Sequence, residues 1–145
     1  MPNLVESLKL TAMQRFITIF LFQLLLFPLS GQIVSEHLVE AIRKGDANRM
    51  SEWFHQSLEM TVLEKDYMAS KAQATRIIEN FFKNYPPSEF KISFEGTKEK
   101  SRYAIGSLKC EGNSFRINMF FMTSGNDRLI YYLSIEKESS YELNQ

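Results

Sequence analysis

The sequence predicts an α+β domain: three helices packed on one face of a curved, mainly antiparallel sheet, in the order α-α-β-α-β-β-β-β. Three observations carry this reading. Apolar residues recur mostly at helical spacing before Pro86-Pro87 and at every second position after it. Short turns containing glycine or asparagine separate the later segments, which makes them an antiparallel meander. A sheet that is apolar on one face must be covered there, and the helices are the available cover.

The first helix is marked by Val34, Leu38 and Ile42, which stripe one face. Arg43 and Lys44 suit its negative end, and Gly45 supplies a left-handed stop. Asp46 or Asn48 can cap a second, short helix with Met50, Trp53 and Phe54 on a shared face. Leu58, Met60 and Val62 then alternate with polar neighbours, as a strand does. Ser70-Lys71-Ala72-Gln73 is a capping box. Behind it Ala74, Ile77, Ile78, Phe81 and Phe82 form one helical stripe that Pro86-Pro87 closes.

Four strands follow. Phe90, Ile92 and Phe94 mark one, and Gly96 begins a polar turn to Ser101. Arg102 to Cys110 is the next, with Tyr103 and Ile105 competing against Ala104, Leu108 and Cys110 for the inward face. Phe115, Ile117, Met119 and Phe121 mark the third, and Leu129, Tyr131, Leu133 and Ile135 the fourth. Asp66 and Asp127 read as turn residues. The polar tail 137–145 is expected to fray.

The chain of 145 residues has room for one such domain, spanning 32–136. Lysine plus arginine and aspartate plus glutamate both number 17, which excludes a strongly basic nucleic-acid binder and a highly charged disordered chain. A single cysteine excludes an intramolecular disulfide, so packing must hold the fold.

Residues 1–31 read as a removable signal peptide. Phe16 to Leu29 is an apolar run interrupted only by Thr18, Gln23 and Pro28, preceded by Lys9 and Arg15 and followed by Ser30-Gly31-Gln32. It is shorter than the roughly 20 apolar residues that span a bilayer core. Met13 would give a tighter signal and is a candidate true start. Cleavage after Gly31 is expected, although it leaves Leu29 where a small residue is usual. The expected product is an exported, soluble domain, periplasmic or extracellular, that touches the membrane only through its leader.

Several of these residues resemble one bacterial secreted family. They are Ala41-Ile42-Arg43-Lys44-Gly45-Asp46, Trp53-Phe54, Ser70-Lys71-Ala72-Gln73-Ala74 ahead of Phe81-Phe82, Tyr85-Pro86-Pro87 with Phe90, and Tyr103-Ala104-Ile105-Gly106 with Leu108. The chain resembles the Domain of Unknown Function 4783 family, a branch of the nuclear-transport-factor-2-like (cystatin-like) superfamily, from about Ile33 to Glu136. The resemblance implies a cone-shaped fold whose open end can form a pocket, in a secreted protein of a Gram-negative bacterium. It implies no activity, because that cone hosts enzymes, ligand binders and interaction domains alike.

The chemistry legible in the residues is sparse. No glycine-rich phosphate loop occurs. His37 and Glu40 offer two metal positions without a third, so no metal and no cofactor is expected. His55 resembles a proton-transfer group of related enzymes, but Gln56 and Ser57 stand where a catalytic aspartate is common there. Trp53, Phe54, Phe82, Tyr103, Phe115, Phe121 and Tyr131 fall on expected inward stripes and are the candidate pocket lining. Phe120, Met122, Ile130 and Tyr132 fall on the opposite face, where a solvated sheet has no need of them, and are the candidate interface with a second copy or an envelope protein. The leading expectation is a non-enzymatic exported module that binds a small apolar ligand or a partner protein. The alternative is a lyase- or isomerase-like enzyme using His55.

Overall fold

The computed structural model describes residues 3–24 and 32–139. The chain divides into two compact units, Met1–Gly31 and Gln32–Gln145. The first holds one helix, α1 (Leu4–Leu24). Among the described residues no helix is long and apolar enough to cross a membrane. The expected cleavage point and the end of the polar tail lie outside the described residues.

The second unit contains α2 (Glu36–Arg43), α3 (Ala47–Met50) with a 3-10 turn at Ser51–Trp53, β1 (Phe54–Val62), β2 (Lys65–Ser70) and α4 (Lys71–Asn84). It continues with β3 (Pro87–Lys98), β4 (Ser101–Cys110), β5 (Asn113–Ser124) and β6 (Asp127–Lys137). The strands form one curved sheet in the order β2-β1-β6-β5-β4-β3. Every neighbouring pair is antiparallel except β1 and β6, which run parallel. The α+β class and the helix-covered sheet are as expected, with one strand more.

That strand is β2. Residues 65–70 return antiparallel along β1 through a two-residue turn at Leu63 and Glu64, which hold φ of 49° and 67°. Hairpin turns of this kind want asparagine or glycine, and neither is present, so the usual sequence mark is missing. Asp66 accordingly lies in a strand and accepts from Thr61 Oγ1 at 2.8 Å. Phe54, expected on the second helix, instead opens β1.

Caps set the helix ends. Ser35 caps α2 and Asp46 caps α3, while Ser70 and Gln73 form the reciprocal capping box of α4. Helix α2 lies on β3, α4 lies on β1 and β2, and α3 bridges α2 and α4. Below them the inward rows interdigitate: Leu58 and Met60 of β1, Leu133 and Ile135 of β6, Ile117 and Met119 of β5, Leu108 of β4 and Phe90 of β3 are all buried. Phe81, Tyr85 and Phe115 close this core with ring centroids 4.9–5.2 Å apart, Phe115 meeting both partners edge-to-face and Phe81 lying tilted against Tyr85.

Two details decide which side chains face in. In β4 the even positions Ala104, Gly106, Leu108 and Cys110 point inward. They are small where Phe90 crosses them, and a Cβ on Gly106 would lie 2.4 Å from the Phe90 ring. In β6 the pairing with β5 slips between Phe120 and Phe121, so Tyr131 is the extra residue of a bulge. Ile130 is therefore drawn inward opposite Phe121, while Tyr131 and Tyr132 share the outer face.

Candidate functional site

The side chains expected to line a pocket separate into three groups. Phe54, Phe82 and Phe115 are buried in the packed core between helices and sheet, where they fill the cone. Trp53 and Phe121 meet at its open end, on one cleft of about 310 Å³ shared with Ile33, Asn126 and Arg128. Tyr103 and Tyr131 stand on the outer face, contrary to the inward stripe expected of them. For Tyr103 the reason is the small inward set of β4, and for Tyr131 it is the bulge.

A short strap, residues 32–34, is fastened to both β3 and β6 beside this cleft. The Glu95 carboxylate of β3 accepts from Ile33 N at 3.3 Å and from Val34 N at 3.1 Å. Arg128 Nη1 of β6 donates to the carbonyls of Gln32 at 3.0 Å and Ile33 at 3.3 Å. Two charged side chains thus satisfy four main-chain groups of a segment that belongs to no helix or strand. Val34 itself is buried. Sequence reasoning passed over Glu95 and Arg128, because each is a charged residue in an alternating strand and only the fold brings them to one end.

The outer face carries the largest uncovered aromatic set. Phe94, Tyr103, Phe120 and Tyr132 form a row across β3, β4, β5 and β6, with successive centroids 5.7, 5.7 and 5.5 Å apart. The first two contacts are stacked and the third is edge-to-face. Tyr103 lies over Gly96, whose missing Cβ leaves room for the phenol. Tyr131 joins the row, its hydroxyl 3.2 Å from Ser101 Oγ. Phe94 is 52% exposed, and Met122 is half-buried beside Phe120. Ile130, expected here, is wholly buried on the other side.

Beyond the row, the same face turns polar. Asn118 Nδ2 donates to Ser134 Oγ at 2.7 Å, Arg116 reaches Glu138, and Lys91 and Lys109 flank Glu89. The ammonium groups of Lys91 and Lys109 hold the Glu89 carboxyl below its ordinary value.

The residues with catalytic or ligating chemistry do not converge. His55 folds back on its own strand, with Nδ1 2.9 Å from the Ser57 carbonyl oxygen and 3.3 Å from Ser57 N. Glu40 is engaged by Lys44 and Arg43, which lower its pKa. Among the described residues no group of three histidines, cysteines or carboxylates could hold a metal. Cys110 is buried, its Sγ 3.4 Å from the Tyr85 carbonyl, and burial pushes its thiol pKa up.

A helix-covered, curved mixed sheet of this kind defines the nuclear-transport-factor-2-like, or cystatin-like, class of folds. A domain of unknown function with a cystatin-like fold from Nostoc punctiforme aligns with a TM-score of 0.59 at 8% identity, over 74% of each chain. Residues 35–136 match the family described as Domain of unknown function (DUF4783), and the chain belongs to that family. Solved members include one from Bacteroides ovatus, 24% identical with a TM-score of 0.71, covering 76% of this chain and 100% of that one. Another, from Bacteroides fragilis, is 26% identical with a TM-score of 0.68, covering 72% and 99%. None of the curated proteins matches the chain.

Proposed function

We propose that this chain is an exported, non-enzymatic interaction module of a bacterial cell envelope that docks a second copy of itself through its outer sheet face. The observation that carries the reading is the aromatic row Phe94–Tyr103–Phe120–Tyr132, which no other described element of the second unit covers. Its polar surroundings carry both signs of charge, so a two-fold related copy can set acidic groups against basic ones. The basic-then-apolar order of residues 9–29 supports export.

Sedimentation velocity over a concentration series tests this directly. The expected result is a monomer–dimer equilibrium that Phe120→Arg shifts to monomer while the circular dichroism spectrum is kept. A wild-type protein that stays monomeric at the highest concentration reached would remove the self-docking reading.

A second reading, binding of a small ligand, is favoured by the cleft at the cone mouth. In that cleft Trp53 and Phe121 present apolar surface beside Arg128, itself half-buried. The enzyme alternative has no such support. His55 is bonded to Ser57 of its own strand, and no hydrogen bond joins it to a carboxylate or a tyrosine among the described residues.

A further inference from the structure

The structure assigns a ligand class to the mouth cleft: we propose that it takes a small organic carboxylate, with the anionic head on Arg128 and the hydrocarbon body against Trp53 and Phe121. The inference rests on the small-ligand reading above and sharpens it.

It starts from the accounting at Arg128. A guanidinium offers five N–H donors and carries a charge that cannot be titrated away. In this structure Nη1 serves the carbonyls of Gln32 and Ile33. Among the described residues Nε and Nη2 have no protein acceptor, and no carboxylate is paired with the group. The side chain is half-buried, so water screens the charge less than at an open surface. Carbonyl partners orient the guanidinium without neutralising it. What remains, on a residue that lines the cleft, is the planar donor pattern of Nε and Nη2 that a carboxylate matches in bidentate fashion.

The rest of the cleft selects what is attached to that carboxylate. Phe121 is buried in the wall and Trp53 is half-buried. Ile33 adds further apolar surface from the strap. A bare anion such as phosphate would satisfy Arg128 and leave this surface wet, whereas a hydrocarbon body covers it. The volume of about 310 Å³ stands at the lower end of ligand pockets and suits a compact acid rather than a long chain. Asp127 also borders the cleft, but it is exposed as the first residue of β6 rather than a residue of the turn before it, and solvent screens it.

The test uses the chain's own probe, because Trp53 is its single tryptophan. The purified protein is titrated with cyclohexylacetate and, separately, with cyclohexylacetamide, which has nearly the same shape without the charge. Neither absorbs where tryptophan is excited. The expected result is a saturable change in Trp53 emission, with the amide binding at least about tenfold more weakly, as a lost charge-assisted contact implies. Arg128→Gln should weaken the acid by a similar factor. Glu95→Gln loosens the strap but keeps the guanidinium, so it should stay within about threefold of wild type. Inorganic phosphate should compete poorly.

Equal binding of acid and amide would overturn the carboxylate assignment and leave a ligand cleft that is merely apolar. Equal loss in Glu95→Gln and Arg128→Gln would overturn it by assigning the effect to the strap. No emission change with either compound up to about 10 mM would remove the small-ligand reading as well.

Discussion

At Gly106 the absence of one carbon determines how the core closes. The Phe90 ring occupies the space where a Cβ would sit, with ring atoms at 2.4 and 2.5 Å. Phe90 is fully buried and has little room to yield. Gly106→Ala is therefore expected to cost about 1–3 kcal/mol by overpacking, measured as a lower urea midpoint with unchanged slope. Gly96 looks similar on paper, since a Cβ there would meet Tyr103 at 2.8 Å. The atoms it meets are at the far end of a half-buried side chain on the outer face, which can swing aside. Gly96→Ala should leave stability within about 0.5 kcal/mol and yet displace Tyr103 from its stack. Near-ultraviolet circular dichroism would show the displaced ring, and sedimentation would show a weaker dimer. The same residue-level reasoning explains why the inward parity of β4 was ambiguous in the sequence. Large residues at Tyr103 and Ile105 suggested one face, but the core side needed small ones because Phe90 already filled it.

At the scale of elements, α4 was the most legible part of the chain. Its apolar stripe, its capping box and the prolines beyond it all agree, and the helix runs from Lys71 to Asn84. Ser70 Oγ accepts from Gln73 N at 3.2 Å, and Gln73 Oε1 accepts from Ser70 N at 2.9 Å. Ser70→Ala should destabilise the domain by about 1 kcal/mol, whereas Ser70→Asp, which can also cap, should recover most of it in thermal melts. Strand β2 was illegible because its turn departs from the residue types that such turns favour. Leu63 keeps its place there by packing partly against the core, a tertiary gain that no local pattern displays. Strand β6 was found, but its face was misjudged after the bulge, since a period of two cannot register an inserted residue. That single insertion moves Tyr131 and Ile130 to opposite faces from those expected.

For the whole molecule, the consequence of these local choices is a cone whose interior is occupied by its own side chains. Phe54, Phe115, Met60, Leu108 and Ile117 fill that interior, while Trp53 and Phe121 on the cleft and the aromatic row on the outer sheet face keep apolar surface to share. The fold class and most strands could be read from alternation alone. The sites could not, because they are made by residues distant in sequence: Trp53 with Arg128, and Phe94 with Tyr132. The two sites are separate predictions. Phe120→Arg should abolish self-association and leave the Trp53 response to cyclohexylacetate unchanged, since Phe120 and the cleft lie on opposite faces of β5.

The strap has a further consequence, which concerns the order in which the domain is assembled. Its bonds join Ile33 and Val34 to Glu95 across 62 and 61 residues, and Gln32 and Ile33 to Arg128 across 96 and 95. Loop closure over such separations is entropically costly until intervening contacts shorten the path. The first residues of the domain to leave a ribosome must therefore wait for β6 before all four bonds of the strap can close. The Glu95 bonds can close once β3 is in place, but the Arg128 bonds wait for β6. The beginning of the domain is the last stitch of its fold.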